Sequence, residues 1–198
     1  MSNSISTEVL DNCVIVRFIR PEIRSPLSIA VLEELYKIVD SLDREQAMIF
    51  TGTENVFASG ANLNEIAGIM PENAKEFARF GQDLMAKIAG LEQKTIAAIN
   101  GYCFGGALDL TLACDLRIAT PSATFAHPGA GLGIITGWGG TQRLPRLVGQ
   151  ANALEMFFTA TPIPAQRAMR IGLVDSVEND AVKASLAYLS KLRTSEIV

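Results

Sequence analysis

The sequence is poor in the residues on which several protein classes depend. Its three cysteines, Cys13, Cys103 and Cys114, are odd in number and share no CxxC spacing, which argues against both a disulfide framework and a cysteine zinc site. All three stand among apolar neighbours and are expected to be buried free thiols. Histidine occurs once, as His127, with no ligand pattern around it, so no metal is expected. The net charge is −4, and neither a basic run nor an interleaving of basic with aromatic residues is present, which disfavours nucleic acid as a partner. The opening MSNSISTEVLDNC has no cationic and then apolar leader pattern, and the most apolar stretch, 95–119, is broken by Asn100, Asp109, Asp115 and Arg117. Neither a signal peptide nor a membrane span is expected, and the cytoplasm is the expected compartment. Repeats, low-complexity segments and linkers are missing too, so residues 1–198 read as a single domain large enough for a substantial core.

What is present is regular patterning, in a chain that is 48% hydrophobic and 19% charged, the composition of a globular protein. Val14, Val16 and Phe18 alternate as in a strand that stops at Arg20-Pro21. Residues 28–42 place Ile29, Leu32, Leu35, Ile38 or Val39, and Leu42 on one helical face behind Ser28 as N-cap. Ala47 to Thr51 is a short buried strand, and Asn62 with Glu65 resembles a helix start. A long helix is expected from Pro71 to Leu91, with Glu72, Lys75, Glu76, Arg79 and Asp83 on its wet face. Strands are expected at 95–99, 116–119 and 174–177, and helices at 152–158, 164–171 (closed by Gly172) and 181–192. Between them, 125–141 holds six glycines and one proline in seventeen positions, a loop that must pass close to a ligand or another backbone. With no hairpin signals between paired runs, the alternation predicts parallel strands joined by right-handed crossovers in one layered α/β domain.

Chemistry concentrates in NGYCFGGALDLTLACD, residues 100–115. A strand ends at Asn100-Gly101, and Gly105-Gly106 opens the helix that carries Asp109. Such a join aims free backbone N–H groups and the positive helix end at whatever occupies the turn. Alternatively the glycines only permit close packing, and Asp109 is a solvated or capping residue. A second turn, Ser59-Gly60-Ala61, also follows a strand and starts a helix. In a parallel α/β fold both turns gather at one end of the sheet, so two N–H groups can converge on a carbonyl that becomes an oxyanion.

Several stretches together resemble one family, the crotonase or enoyl-CoA hydratase/isomerase superfamily: RPEIRSPLS (20–28), TGTENVFASGANLNE (51–65), AAINGYCFGGALDLTLACDLRIAT (97–120), and the block from FAHPG to GWGGTQRLPRLVG (125–149). The resemblance implies a ββα superhelix and a role in fatty acid metabolism. It implies an acyl-CoA thioester substrate whose carbonyl is held by the N–H groups of Ala61 and Gly106 as it becomes an enolate. Coenzyme A would be part of the substrate, and no separate cofactor is implied. The segment Ala58, Gly60, Ala61, Asn62 and Leu63 would receive the adenine and pantetheine, Gly105, Gly106 and Gly129 the acyl end, and Arg24 the phosphates, although Arg24 alone reads as a surface charge. A homotrimer or a dimer of trimers is the implied assembly.

The departures bear on the reaction. Hydratases of the family resemble one another in two glutamates that position a water and deliver a proton. The first falls here on Asp109, shorter by about 1.5 Å of reach, and the second on Gly129, which has no side chain. Three readings follow. Asp109 acts alone or with His127 as a replacement base. Alternatively, space at Gly129 admits a bulkier acyl group or an anion, and the chemistry is decarboxylation, hydrolysis or another enolate reaction. Finally, the protein binds acyl-CoA or a partner without turnover. Family chains run about a third longer, so the usual C-terminal helical region is expected to be short or absent, leaving Trp138 and its apolar neighbours partly exposed or covered by a neighbouring subunit.

Overall fold

A computed structural model describes residues 4–10 and 12–195. The chain opens with β1 (Ile5–Leu10) and β2 (Cys13–Phe18), then β3 (Pro26–Leu27), α1 (Ile29–Asp40), β4 (Ala47–Thr51), β5 (Val56–Ala58), β6 (Gly60–Ala61), α2 (Leu63–Ala67) and α3 (Ala74–Ala89). It continues through β7 (Thr95–Ile99), β8 (Tyr102–Phe104), α4 (Gly106–Ala113), β9 (Leu116–Ala119) and β10 (Thr124–Ala126). It closes with α5 (Gly140–Val148), α6 (Gln150–Thr159), β11 (Ile163–Pro164), α7 (Ala165–Arg170), β12 (Ser176–Val177) and α8 (Ala181–Ser195).

A repeating circuit organises these elements. β4, β7 and β9 each lay a strand in a six-stranded sheet of order β1-β2-β4-β7-β9-β12. The chain then turns into β5, β8 or β10 of a second sheet, ordered β11-β10-β8-β5, before a helix carries it to the next circuit. That is the expected ββα superhelix. From β2 to β12 the large sheet is parallel, as the crossovers predicted. The edges differ: β1 pairs antiparallel with β2 across a two-residue connection, and β11 pairs antiparallel with β10. The hairpin escaped the sequence because β1 is exposed on most of its length, being buried only at Ile5, and so lacks a clear alternation of apolar and polar residues.

The large sheet is buried on both faces, and the period of two divides its residues between two cores. Val14, Val16, Met48, Phe50, Ala97 and Ile99 face the main core, whereas Cys13, Ile15, Ile49, Ile96, Ala98 and Ile118 face a smaller cluster closed by Ala181 and Leu189 of α8. All three cysteines are buried and free. Ser28 caps α1 as expected, accepting from the Val31 N–H at 3.3 Å. Ile29, expected on its buried face, points outward, and its N–H donates to Glu65 at 2.9 Å. The helix expected from Pro71 begins as a short 3-10 turn, Pro71–Asn73, before α3; the charges expected on its wet face are all exposed, while Gly81, Leu84, Met85 and Ile88 are buried.

Two latches hold the turns that follow the strands. Asn100 Oδ1 accepts from the Gly52 N–H at 2.9 Å, and its Nδ2 donates to the carbonyls of Glu54 at 2.9 Å and Val56 at 3.1 Å. The loop before β5 is thereby fixed to the end of β7. At the far end of α4, the buried Arg117 donates to the carbonyls of Cys114 at 2.8 Å and Thr111 at 3.2 Å and pairs with Asp175 at 3.2 Å, satisfying the negative end of that helix. Asn100→Ala removes three hydrogen bonds at once and is expected to cost about 2–3 kcal/mol, read from the urea midpoint at constant m-value.

Candidate active site

α4 is buried at all eight of its positions, Gly106 to Ala113. It begins immediately after β8, at Gly105, whose φ of 56° and ψ of −126° suit glycine. The two turns singled out in the sequence meet here. A methyl group on Gly60 (φ 83°) would lie 2.4 Å from the Gly106 nitrogen, and one on Gly106 would lie 3.3 Å from the Ala61 nitrogen. The backbones of Gly60-Ala61 and Gly106 therefore approach closely enough that a side chain on Gly60 would collide with the start of α4.

They open onto a cavity of about 620 Å³ lined by Arg24, Ser59, Ala61, Asn62, Leu63, Tyr102, Gly105, Gly106, His127, Gly129 and the segment 134–138. Of the residues named from the sequence, Ala58 and Gly60 lie behind this surface: Ala58 is fully buried, and Gly60 packs on the start of α4. Arg24 is exposed at the mouth, in the left-handed region with φ 61°, its guanidinium 5.1 Å from the centre of the Tyr102 ring. Gly129 lines the cavity, but the expected space beside it is filled in the direction a side chain would take. A methyl group there would lie 2.4 Å from the Ile134 carbonyl oxygen, because the chain turns back so that the Ile134 N–H donates to the Gly129 carbonyl at 3.0 Å.

Asp109 has no exposed surface. Its Oδ2 accepts from the Thr136 hydroxyl and from the Trp138 N–H at 3.3 Å. Oδ1 has no hydrogen-bond partner among the described residues and faces His127 Nε2 at 3.6 Å. Both nitrogens of His127 are likewise unpartnered among the described residues, and its ring packs against Phe157 at 5.0 Å between centres. Burial pushes the Asp109 carboxyl up to about 7, while the Thr136 hydroxyl, the Trp138 N–H, the charge of Arg143 and the Gly140 N–H pull the other way. Burial pushes His127 down to about 4. Near neutral pH the site thus holds a carboxyl poised between its two states beside a neutral imidazole, the inventory of an acid/base pair. Among the described residues no group of three or more His, Cys, Asp or Glu side chains is placed to hold an ion.

The sequence did not single out the residues that enclose Asp109. Trp138, expected to be partly exposed, is buried: its ring is wedged between two helices, so that a methyl group on Gly81 of α3 would lie 2.2 Å from it and one on Gly106 of α4 2.4 Å. The wedge depends on glycine at both contacts. Its neighbours Ile134 and Ile135 are exposed, as expected. Gly140, first residue of α5, stands so close that a methyl group on it would lie 2.1 Å from Asp109 Oδ1. The available signal was the glycine density of 125–141, read as a loop passing close to something. It passes close to Asp109 and α4, and its last part is already helix α5.

The enoyl-CoA hydratase/isomerase family model matches residues 8–194. The short-chain-enoyl-CoA hydratase of Clostridium acetobutylicum is 36% identical over 179 residues, a match covering 88% of this chain and 69% of that protein. The crotonyl-CoA hydratase of Syntrophomonas wolfei is 40% identical over 162 residues, covering 80% of this chain and 62% of that protein. The crystal structure of an enoyl-CoA hydratase from Bacillus anthracis superposes with a TM-score of 0.90 at 35% identity, covering 96% of this chain and 77% of that one.

Two measurements test the site's packing and electrostatics. Gly81→Ala is expected to displace the chain's sole tryptophan, shifting its fluorescence to the red and lowering stability by about 1–3 kcal/mol. The second concerns pH. Between about pH 4 and 6.5 the folded pair keeps one proton on Asp109, whereas in the unfolded chain the one proton sits on the histidine. Folded and unfolded states then bind equal numbers of protons, and the pair contributes no pH slope. Asp109→Asn leaves only the depressed histidine, so stability relative to wild type rises with pH across that window. His127→Gln leaves only the raised carboxyl, so stability falls as pH rises from about 4 to about 7. Either slope approaches about 1.4 kcal/mol per pH unit, and urea unfolding at several pH values reads its sign.

Proposed function

Because the chain belongs to the enoyl-CoA hydratase/isomerase family, we propose that it is an enzyme acting on an enoyl-CoA thioester through an enolate held by the backbone N–H groups of Ala61 and Gly106. The observation that carries this reading is the contact of Gly60-Ala61 with the start of α4 at the cavity wall, one helical turn from Asp109. Two fixed donors in a site screened from water stabilise a charge that grows on the thioester oxygen, an effect worth about 3–4 kcal/mol per donor. The dipole of α4 adds to it.

Proton movement falls to Asp109 and His127, since Gly129 supplies no carboxylate. The shifts at the two groups favour an enzyme over a passive acyl-CoA receptor: a binding site gains nothing from a buried carboxyl and imidazole that face each other without a hydrogen bond. Arg24, on the rim beside Tyr102, is suited to the phosphates of coenzyme A, and the strip Asn62-Leu63 beside Ala61 to the pantetheine.

The purified protein is expected to hydrate crotonyl-CoA or a longer enoyl-CoA, and Asp109→Ala to lower kcat at least about 100-fold with the circular dichroism spectrum unchanged. Absence of turnover on short, medium and long enoyl-CoAs, with acyl-CoA binding retained by calorimetry, would remove the enzymatic reading and leave a binding protein.

A further inference from the structure

Asp109 does not line the cavity. The wall in front of it is made by Thr136, Trp138 and His127, all of which do. A carboxyl that cannot touch a substrate cannot pass it a proton without an intermediary. Of the groups bonded to Asp109 Oδ2, the Trp138 N–H only donates, whereas the Thr136 hydroxyl both donates and accepts. Thr136 is half-buried, bonded to the carboxylate on one side and part of the cavity wall on the other. The remaining carboxylate oxygen faces His127. The other charged group acting on the site is Arg143 of α5, which donates to the Trp138 carbonyl at 3.4 Å.

We propose that Thr136 relays a proton between Asp109 and the α-carbon of the acyl group, a role that rests on the acyl-CoA reading above. In hydration, water adds to the β-carbon and the enolate forms. The Asp109 O–H bond then breaks as its proton passes to Thr136 Oγ1, while the hydroxyl proton of Thr136 forms the new C–H bond with the enolate's electron pair. Thr136 ends as the hydroxyl it began, and Asp109 as a carboxylate. The proton lost by the added water goes to neutral His127 and from Nε2 to Asp109 Oδ1, and rotation of the neutral carboxyl about its Cβ–Cγ bond returns the O–H to the Thr136 side, restoring the acid. One water is consumed and no electrons are exchanged with another reactant. A single carboxylate thus delivers through one oxygen and recovers through the other.

The test follows two reactions of the wild type, Thr136→Val and Thr136→Ser: hydration of crotonyl-CoA, and exchange of the α-protons of butyryl-CoA with D2O by NMR. Valine keeps the shape and removes the hydroxyl. It is expected to lower both rates about 100-fold at every pH, with acyl-CoA affinity and the circular dichroism spectrum unchanged, while serine stays within a few-fold of wild type. Thr136→Ala, run alongside in case valine disturbs the wall, is expected to show the same loss. If Thr136 only positions Asp109, the valine variant keeps its maximal rate and its pH limb moves upward, because the hydrogen bond that lowers the carboxyl is gone. That outcome, or full exchange in the valine variant, overturns the relay and leaves the proposed function standing. A wild type inert in both reactions overturns the two together.

Discussion

The structure depends on burying α4 on every side. A helix surrounded by protein has no wet face on which to place its polar groups, so each needs a partner within the fold. The carbonyls at its C-terminal end are taken by Arg117, itself held by Asp175. The Thr111 hydroxyl turns back to the Leu108 carbonyl. At the N-terminal end, Gly106 opens onto the cavity, and under the proposed function an acyl oxygen would take the place of a protein partner there. The helix that organises the core is therefore also the one whose start is left for a ligand.

Close backbone approach is the second constraint, and it explains why glycines cluster in this chain. Gly60 and Gly106 let two chain segments meet at the cavity wall, and Gly81 with Gly106 admits the Trp138 ring between α3 and α4. These contacts share a member. Trp138 packs its ring against Gly106 and through its backbone N–H also holds Asp109, so one residue touches both the start of α4 and the carboxylate. A change at Gly81, remote from any reacting atom, reaches the site through that ring.

Much of this was legible in the residues, and the rest was not for physical reasons. Strands with both faces buried and bounded by turns, such as 47–51, 95–99 and 116–119, announce themselves as apolar runs of strand length, and the observed bounds agree. The second sheet stayed hidden because its strands are two or three residues long, too short for any periodicity. Helix α5 begins within the glycine-rich stretch, and its later part contains Pro145, which hides a helix from the sequence. Asp109 stood out as a carboxylate in an apolar helix, but nothing marked Thr136 as its partner, since that pairing joins residues 27 apart through a loop with no regular pattern.

The two departures from the family pattern, Asp109 and Gly129, look in the sequence like independent losses. In the fold they belong to one arrangement. With Gly129 the chain can turn tightly enough for its backbone to bond Ile134, a contact that any side chain would block. That turn sets the course of 134–138, which brings Thr136 and Trp138 onto Oδ2 of Asp109. A carboxylate one methylene shorter leaves room for them. The glycine that removes one acid is thus also what closes the wall over the other, and burial behind that wall is what raises Asp109 toward neutrality.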